Sequence, residues 1–522
     1  MQIFINGVFI SCEDENRIFR VLVEEDGRIV YTGDTVPDAY GDIPSRIDME
    51  GRCVVPAFAD THIHFSSYCF FKEHLDVRQA DSFDTLADRI RGYERANMGA
   101  KILLGFGCSA HTVEERRLPD LSFFEGVTSK PLFLVKYDGH AAVANSALLR
   151  LLPPSITGDP GFDPSSGWFC KQAFYRAVNH ITRSVSPYRL LKSLAKGTDD
   201  LAGNGIGLIH TVEGLGFPLD MDVDIMRLAA RGLPLHFRIY FQTMNVRKVV
   251  RRKLPQIGGC FATALDGSFG SEDAALIEPY THNTHNKGML AYSQREVTRF
   301  VKTANRVGLQ VAMHAIGDGA IEQAITAFED ALADFPRYDH RHVIIHANLM
   351  SPPVMERAAR LGVHVAVQPS LLHWQEEPME YLTKILGDRA HRLIPLKSMF
   401  GHGLTVAGGS DAPCTPPDPL HGIHAACNHP NQDERISVLD ALRMYTNHAS
   451  RLSFDDRERG TLTEGKVADF AVLDRNPLLC APELLKNIHV TGLYLNGAPY
   501  ENSAKTPFNL CVRALKHRIF CP

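Results

Sequence analysis

Leu309-Gln310-Val311-Ala312-Met313-His314-Ala315-Ile316-Gly317-Asp318 is the stretch that decides the fold. It opens with a short apolar run of the kind a strand buried on both faces needs, and the run ends at a histidine. Residues 319–335 follow with apolar positions at helical spacing, and a second run, His342-Val343-Ile344-Ile345, ends at His346. Residues 353–361 give another helical pattern, and Leu404-Thr405-Val406-Ala407-Gly408-Gly409-Ser410 ends at Asp411. Strand, helix, strand, helix, with a chemically active residue at each strand's carboxyl end, describes a parallel (β/α)8 barrel, whose active site lies at that end. The fold class is therefore α/β, a TIM-like barrel.

Upstream, the β-branched run Cys53-Val54-Val55 leads into Pro56-Ala57-Phe58-Ala59-Asp60-Thr61-His62-Ile63-His64. Residues i and i+2 of an extended chain share a face, so His62 and His64 can grip one divalent cation together. A lone His-x-His is a weak signal, because two polar strand residues facing solvent give the same pattern. Here it joins His314, His346 and Asp411, each at the end of its own strand. A barrel brings such a set to one point, and a metal site is the reading.

These residues resemble the amidohydrolase superfamily of metal-dependent hydrolases, and within it the branch that contains N-substituted formamide deformylase. The resemblance spans nearly the whole chain. It is carried by residues 56–64, Asp138-Gly139-His140 with Asn145-Ser146-Ala147-Leu148, and Asp266-Gly267-Ser268 followed by Glu278-Pro279-Tyr280. Further on come residues 314–318, Arg341 with His346-Ala347, Gly409-Ser410-Asp411-Ala412-Pro413 and Gly465-Lys466-Val467-Ala468-Asp469-Phe470. It implies His62, His64, His314 and Asp411 as ligands of zinc, with iron or manganese as alternatives, and one coordination position kept for water. Two-metal members add a bridging carboxylated lysine four residues before the Asp-Gly-Ser element. That position is Ala262 here, so one tightly bound metal is expected; Glu213 or Lys171 would be a substitute outside the pattern.

Asp411 is expected to take the proton of the attacking water and pass it to the leaving nitrogen. His346 is expected beside the reacting carbonyl, donating to the developing oxyanion, or in a weak second metal site. Asp318 is expected to orient a ligand histidine or cap the helix that follows it. His140, Asn145, Tyr280 and Trp374 are expected to bind substrate, and an aromatic wall suits a substrate with a ring or apolar arm. His210 either faces the barrel mouth or is a satisfied core histidine. The implied reaction is hydrolysis of a non-peptide amide C–N bond of a small molecule. The alternatives are deamination of an amino-substituted ring and a non-catalytic scaffold of the same fold.

Both ends of the chain read as short strands separated by turns, at 2–5, 19–24, 28–32 and 54–55 and again at 470–473 and 489–495. They are expected to meet in one composite β-sandwich of residues 1–55 and 460–505. The barrel then takes 56–70 and 200–459. Residues 71–199, where the strand-and-ligand rhythm is lost, form an inserted α/β subdomain after the first barrel strand, with a helix over 84–98, a strand over 131–137 and an irregular loop over 152–167. Residues 506–522 form a tail with no assigned fold.

A chain of 522 residues suits a barrel with smaller units attached. Its net charge of −5, with no basic run, argues against nucleic acid as a partner. No apolar stretch is long enough to span a bilayer, and Met1-Gln2-Ile3-Phe4-Ile5-Asn6-Gly7 reads as strand and turn, not as a secretory signal. The 11 cysteines are scattered and never in a Cys-x-x-Cys pair, which fits reduced thiols in the cytoplasm. A small-molecule substrate and a second copy in a homodimer are the expected partners, with no nucleic acid and no membrane.

Overall fold

Eight parallel strands form one sheet in the computed structural model, which describes residues 1–502. They are β1 (Phe58–Ile63), β2 (Ile206–Glu213), β3 (His236–Phe241), β4 (Gln256–Gly259), β5 (Gln310–Ala315), β6 (Val343–His346), β7 (His364–Val367) and β8 (Val406–Gly408). Each pairs in parallel with the next in chain order. This is the α/β barrel that the 309–346 stretch predicts. The expected tail at 506–522 lies outside the described residues.

Alternation within the strands sorts their side chains. In β5, Val311, Met313 and Ala315 pack outward against the helices, whereas Ala312 joins a layer of small residues inside the barrel with Ala59, Ala366 and Ala407. His314 shares the face of Ala312, one step nearer the carboxyl end, and so rises into the mouth. Helices Gln294–Arg306 and Asp318–Asp334 cover this part of the wall; Ser293 caps the first through a reciprocal capping box with Glu296.

Between β8 and β1 the barrel closes without a regular ladder. Thr61 Oγ1 donates to the Gly408 carbonyl (2.9 Å), Asp411 N to the His62 carbonyl (2.7 Å) and His64 N to the Ala412 carbonyl (3.0 Å). Asp60 ties the same seam, accepting from Ser410 N (3.0 Å) and Ser410 Oγ (2.5 Å). The two edges come so close at Gly409 that a Cβ there would stand 2.6 Å from His62 N.

Strands from both termini share a six-stranded sheet, in which Cys53–Pro56 pairs antiparallel with Phe470–Leu473 and Val490–Leu495 follows. It packs on a four-stranded sheet of Gln2–Ile5, Val21–Glu25, Arg28–Gly33 and Arg46–Asp48. Phe4 meets Phe470 edge-on (5.0 Å between centroids), and Phe470 stacks on Tyr494 (4.7 Å). Neither end could bury these rings alone. Between β1 and β2 lies a five-stranded sheet, Leu75–Asp76, Leu103–Cys108, Leu132–Lys136, Ala141–Ala144 and Trp168–Cys170, with helix Phe83–Ala96 and its own apolar cores. Within the stretch read as irregular, Pro154–Thr157 forms one helical turn, with proline in its first position. Among the described residues, no helix is long and apolar enough to cross a membrane.

Candidate metal centre and its pocket

His62 and His64 point their Nε2 atoms at one carboxylate oxygen, Asp411 Oδ1, from 3.2 and 3.3 Å. Those are the spacings of ligands around a cation: with bonds of about 2.0–2.1 Å, the edge of a tetrahedral zinc site is about 3.3 Å. His62 Nε2 and Asp411 Oδ1 are buried and make no hydrogen bond, an arrangement that costs free energy unless a cation satisfies both. Burial alone would raise the Asp411 carboxyl; the imidazoles beside it override that and hold it well below the usual carboxylate range. Burial pushes His64 down, so it is present in the neutral form that binds metal.

Two further histidines turn unprotonated ring nitrogens towards the barrel mouth. His314 Nε2 lies 3.1 Å from the Gly267 carbonyl, which can only accept, so this nitrogen carries the proton and Nδ1 is an acceptor, 3.2 Å from the Cys260 thiol. His346 Nδ1 lies 2.6 Å from Gln368 Oε1, whose own amide nitrogen donates to the Ala366 carbonyl. Nδ1 of His346 is therefore the donor, and its buried Nε2 is a lone pair without a partner. Anchoring one ring nitrogen on an acceptor is how proteins aim the other at a metal. Burial drives His346 down to about 3 and His314 well below its usual value. The expected role of His346 as a donor to an oxyanion is corrected by this tautomer: the atom facing the site has no proton to give.

Backbone strain marks the same residues. By alternation His346 should share the outward face of Ile344, but a φ of 72° turns it to the barrel axis, and Asp411 has a φ of 58°. Non-glycine residues hold such angles where surrounding structure enforces them, often at functional sites.

The end of β4 corrects a second expectation. Ala262 lies in the single turn Phe261–Thr263, and its carbonyl accepts from Tyr292 Oη. Cys260 is the residue at the mouth, its Sγ 3.2 Å from His314 Nδ1. The glycines before it are the signal in the sequence: Gly258 has a φ of 103°, and a Cβ there would meet the Ala312 carbonyl at 1.9 Å. Neither proposed substitute for the bridging group reaches the site in a free state. Glu213 Oε1 accepts from Ser66 N and Thr211 Oγ1, and Lys171 is exposed at the start of helix Lys171–Ile181.

Of the expected substrate contacts, His140 and Trp374 line the pocket above the metal ligands. Asn145 and Tyr280 lie off its wall. Asn145 caps helix Ser146–Leu149 and donates to the Lys130 carbonyl; Tyr280 is buried and donates to the Ala274 carbonyl. Asp318 accepts from Ile277 N, while the carboxylate beside His314 is Asp266, 3.5 Å from its Nε2. His210 is buried inside the barrel, with neither ring nitrogen hydrogen-bonded. The pocket wall comes from the barrel and from the inserted sheet together. Phe71, Phe106, Phe174, Tyr175, Phe261 and Phe269 make it aromatic, and among the described residues no lysine or arginine lines it. Phe261 leans over His64 with centroids 4.8 Å apart.

A (β/α)8 barrel with imidazoles and a carboxylate converging at its carboxyl end is the architecture of a metal-dependent hydrolase. Residues 46–500 match the amidohydrolase family, and the chain belongs to it. Among curated proteins it is 27% identical to "Putative amidohydrolase YtcJ" of Bacillus subtilis, over 95% of this chain and 98% of that one. It is 23% identical to N-substituted formamide deformylase of Arthrobacter pascens, over 94% and 97% of the two chains. Among solved structures, an uncharacterised metal-dependent hydrolase from Pyrococcus furiosus superposes with a TM-score of 0.73 at 26% identity, covering 91% of this chain and 99% of its own.

Proposed function

We propose that this protein hydrolyses a non-peptide amide C–N bond of a small, uncharged molecule that carries an aromatic or apolar arm. The observation behind the reading is the convergence of His62, His64 and Asp411 on one point at the base of an aromatic pocket. A divalent cation held there, zinc by the chemistry of its donors, would activate a water and polarise the substrate carbonyl.

Asp411 reaches both the ligand cluster and the open pocket, so its carboxylate can take the proton of the attacking water and return it to the leaving nitrogen. His140 and Trp374 stand on the wall where the acyl or amine arm would lie. Among the described residues no lysine or arginine lines the pocket, so the metal ion would be its main cationic group. The free thiols fit a cytoplasmic protein.

The test is turnover of zinc-loaded protein on N-formyl and N-acyl derivatives of aromatic amines, with products identified by mass. Equimolar carboxylate and amine support the proposal. Ammonia released from an amino-substituted ring would replace it with deamination. Full metal content with no turnover on amides, lactams or aminoheterocycles would replace it with a scaffold role.

A further inference from the structure

We propose that Asn348 is a catalytic residue of this pocket: its side-chain Nδ2 donates a hydrogen bond to the carbonyl oxygen of the substrate amide. The inference deepens the amide-hydrolysis reading, and rests on it. It supplies the donor that His346 lacks, because the nitrogen His346 turns to the site carries no proton.

Three observations carry it. Asn348 lines the same pocket as His314, His346 and Asp411, two residues past the end of β6. Its carboxamide is buried and unused: with 7% of the residue exposed, Oδ1 is shut away without a partner. Among the described residues Nδ2 makes no hydrogen bond either, so it is the polar atom left for the pocket. An unpaired buried amide costs stability, and proteins keep such groups where function calls for them. Finally, the fold holds this residue through its backbone. The Asn348 carbonyl accepts from Ile394 N (2.7 Å), Ala347 N donates to the Ala315 carbonyl (3.0 Å) and Leu349 N to the Ile316 carbonyl (3.2 Å). Positive φ at His346 and Ala347, 72° and 49°, bend the chain there, and residues 346 and 348 both reach the pocket.

A donor at this point has a chemical consequence. When water attacks the amide carbon, a C–O bond forms and the carbonyl π pair moves onto its oxygen, which becomes anionic. That pair returns as the C–N bond breaks, and the nitrogen leaves with the proton that Asp411 carries. The Asn348 N–H is neither given up nor regained; it only strengthens its hydrogen bond as charge builds on the oxygen. Its effect is therefore larger in the transition state than in the bound substrate. Sulfur is a much poorer hydrogen-bond acceptor than oxygen, so a thioamide should draw less from it.

Wild type and Asn348→Leu, both full length and zinc-loaded, are compared on the aromatic amide that wild type hydrolyses fastest and on its thioamide counterpart. Zinc content and urea unfolding are measured beside turnover. Leucine matches asparagine in shape and has no donor. The variant should keep its zinc and unfold at the same or a higher urea concentration, since no hydrogen bond within the protein is lost. Its kcat on the amide should fall about a hundredfold with a smaller change in KM, and the loss on the thioamide should stay below about tenfold. If leucine prevents folding, Asn348→Ala is read in its place by the same two turnover ratios. Equal losses on amide and thioamide would overturn the role of Asn348 while leaving amide hydrolysis intact. So would a kcat within about threefold of wild type, or zinc lost together with activity. A wild type that hydrolyses no amide would remove the amide-hydrolysis reading itself, and the role of Asn348 with it.

Discussion

Replacing Lys136 by methionine isolates the charge pair behind the pocket wall. Lys136 Nζ donates to Asp138 Oδ2 (2.9 Å) and Ser271 Oγ (3.0 Å), and both partners of the ion pair are almost wholly buried. Burial alone would raise Asp138, but Lys136 and His140 override it and hold the carboxyl at about 2. Against an ordinary value of 3.8, that favours the ionised form by roughly 2.5 kcal/mol. Because the folded value is depressed, this stability is present above about pH 4 and is lost as pH falls through 2. Methionine keeps the apolar stem and removes the cation. The carboxylate is then buried and unpaired, which costs about 3–5 kcal/mol at neutral pH.

The sign of the pH dependence should also reverse. With burial now dominant, the Asp138 pKa rises above its unfolded value, and the variant should gain stability on acidification where wild type loses it. Lys136→Met/Asp138→Asn removes both charges and should recover most of the loss. Urea unfolding read by tryptophan fluorescence suits the measurement. Of the two tryptophans, Trp168 lies in the inserted sheet and Trp374 packs edge-on against Tyr137, 4.9 Å between centroids. A loss below about 1 kcal/mol with the wild-type pH profile would refute the reasoning, as would a double variant no more stable than the single one.

His62→Ala, His64→Ala and His314→Ala should each lower metal content and activity together while far-ultraviolet circular dichroism stays near wild type; stoichiometric metal in all three would show the site is misassigned. Asp411→Asn keeps the shape and one metal-facing oxygen but cannot accept a proton, so kcat should fall at least about a hundredfold with a much smaller change in KM. Near-wild-type kcat in metal-loaded Asp411→Asn protein would place the proton transfer elsewhere. Gly409→Ala sets a methyl 2.6 Å from His62 N and should cost about 1–3 kcal/mol in stability and weaken metal binding, measured by urea unfolding and competition with a chelator. Unchanged metal affinity would mean the seam can move apart without disturbing His62.

The barrel was legible because its strands are buried on both faces and each announces its carboxyl end with a polar residue, as at His314 and His346. The run that ends at Asp411 was legible in the same way, and the resemblance then assigned the ligand roles. Three features escaped a linear reading. Counting back from Asp-Gly-Ser led to Ala262, because the turn Phe261–Thr263 between β4 and that element shifts the spacing while the strand end stays at Cys260. The protonated nitrogen of His346 is set by Gln368, 22 positions away just past the end of the neighbouring strand, so its tautomer could not be read locally. Asn145 and Tyr280 lie in motifs that recur with the family, yet each binds backbone groups nearby, which makes them supports of local structure.

The seam at Gly409 bears on how the chain matures. Its two edges bring together residues 350 positions apart, so His62 and Asp411 meet only after the whole barrel has been synthesised and wound. Contacts of such long sequence range form late, since the intervening chain must give up its freedom first. Until then the histidines have no carboxylate to complete the site and no closed barrel to hold them together. Metal capture is thus a final step that reports a finished barrel, and a chain stalled or cut before residue 411 would emerge without the cation instead of holding it in a half-built site.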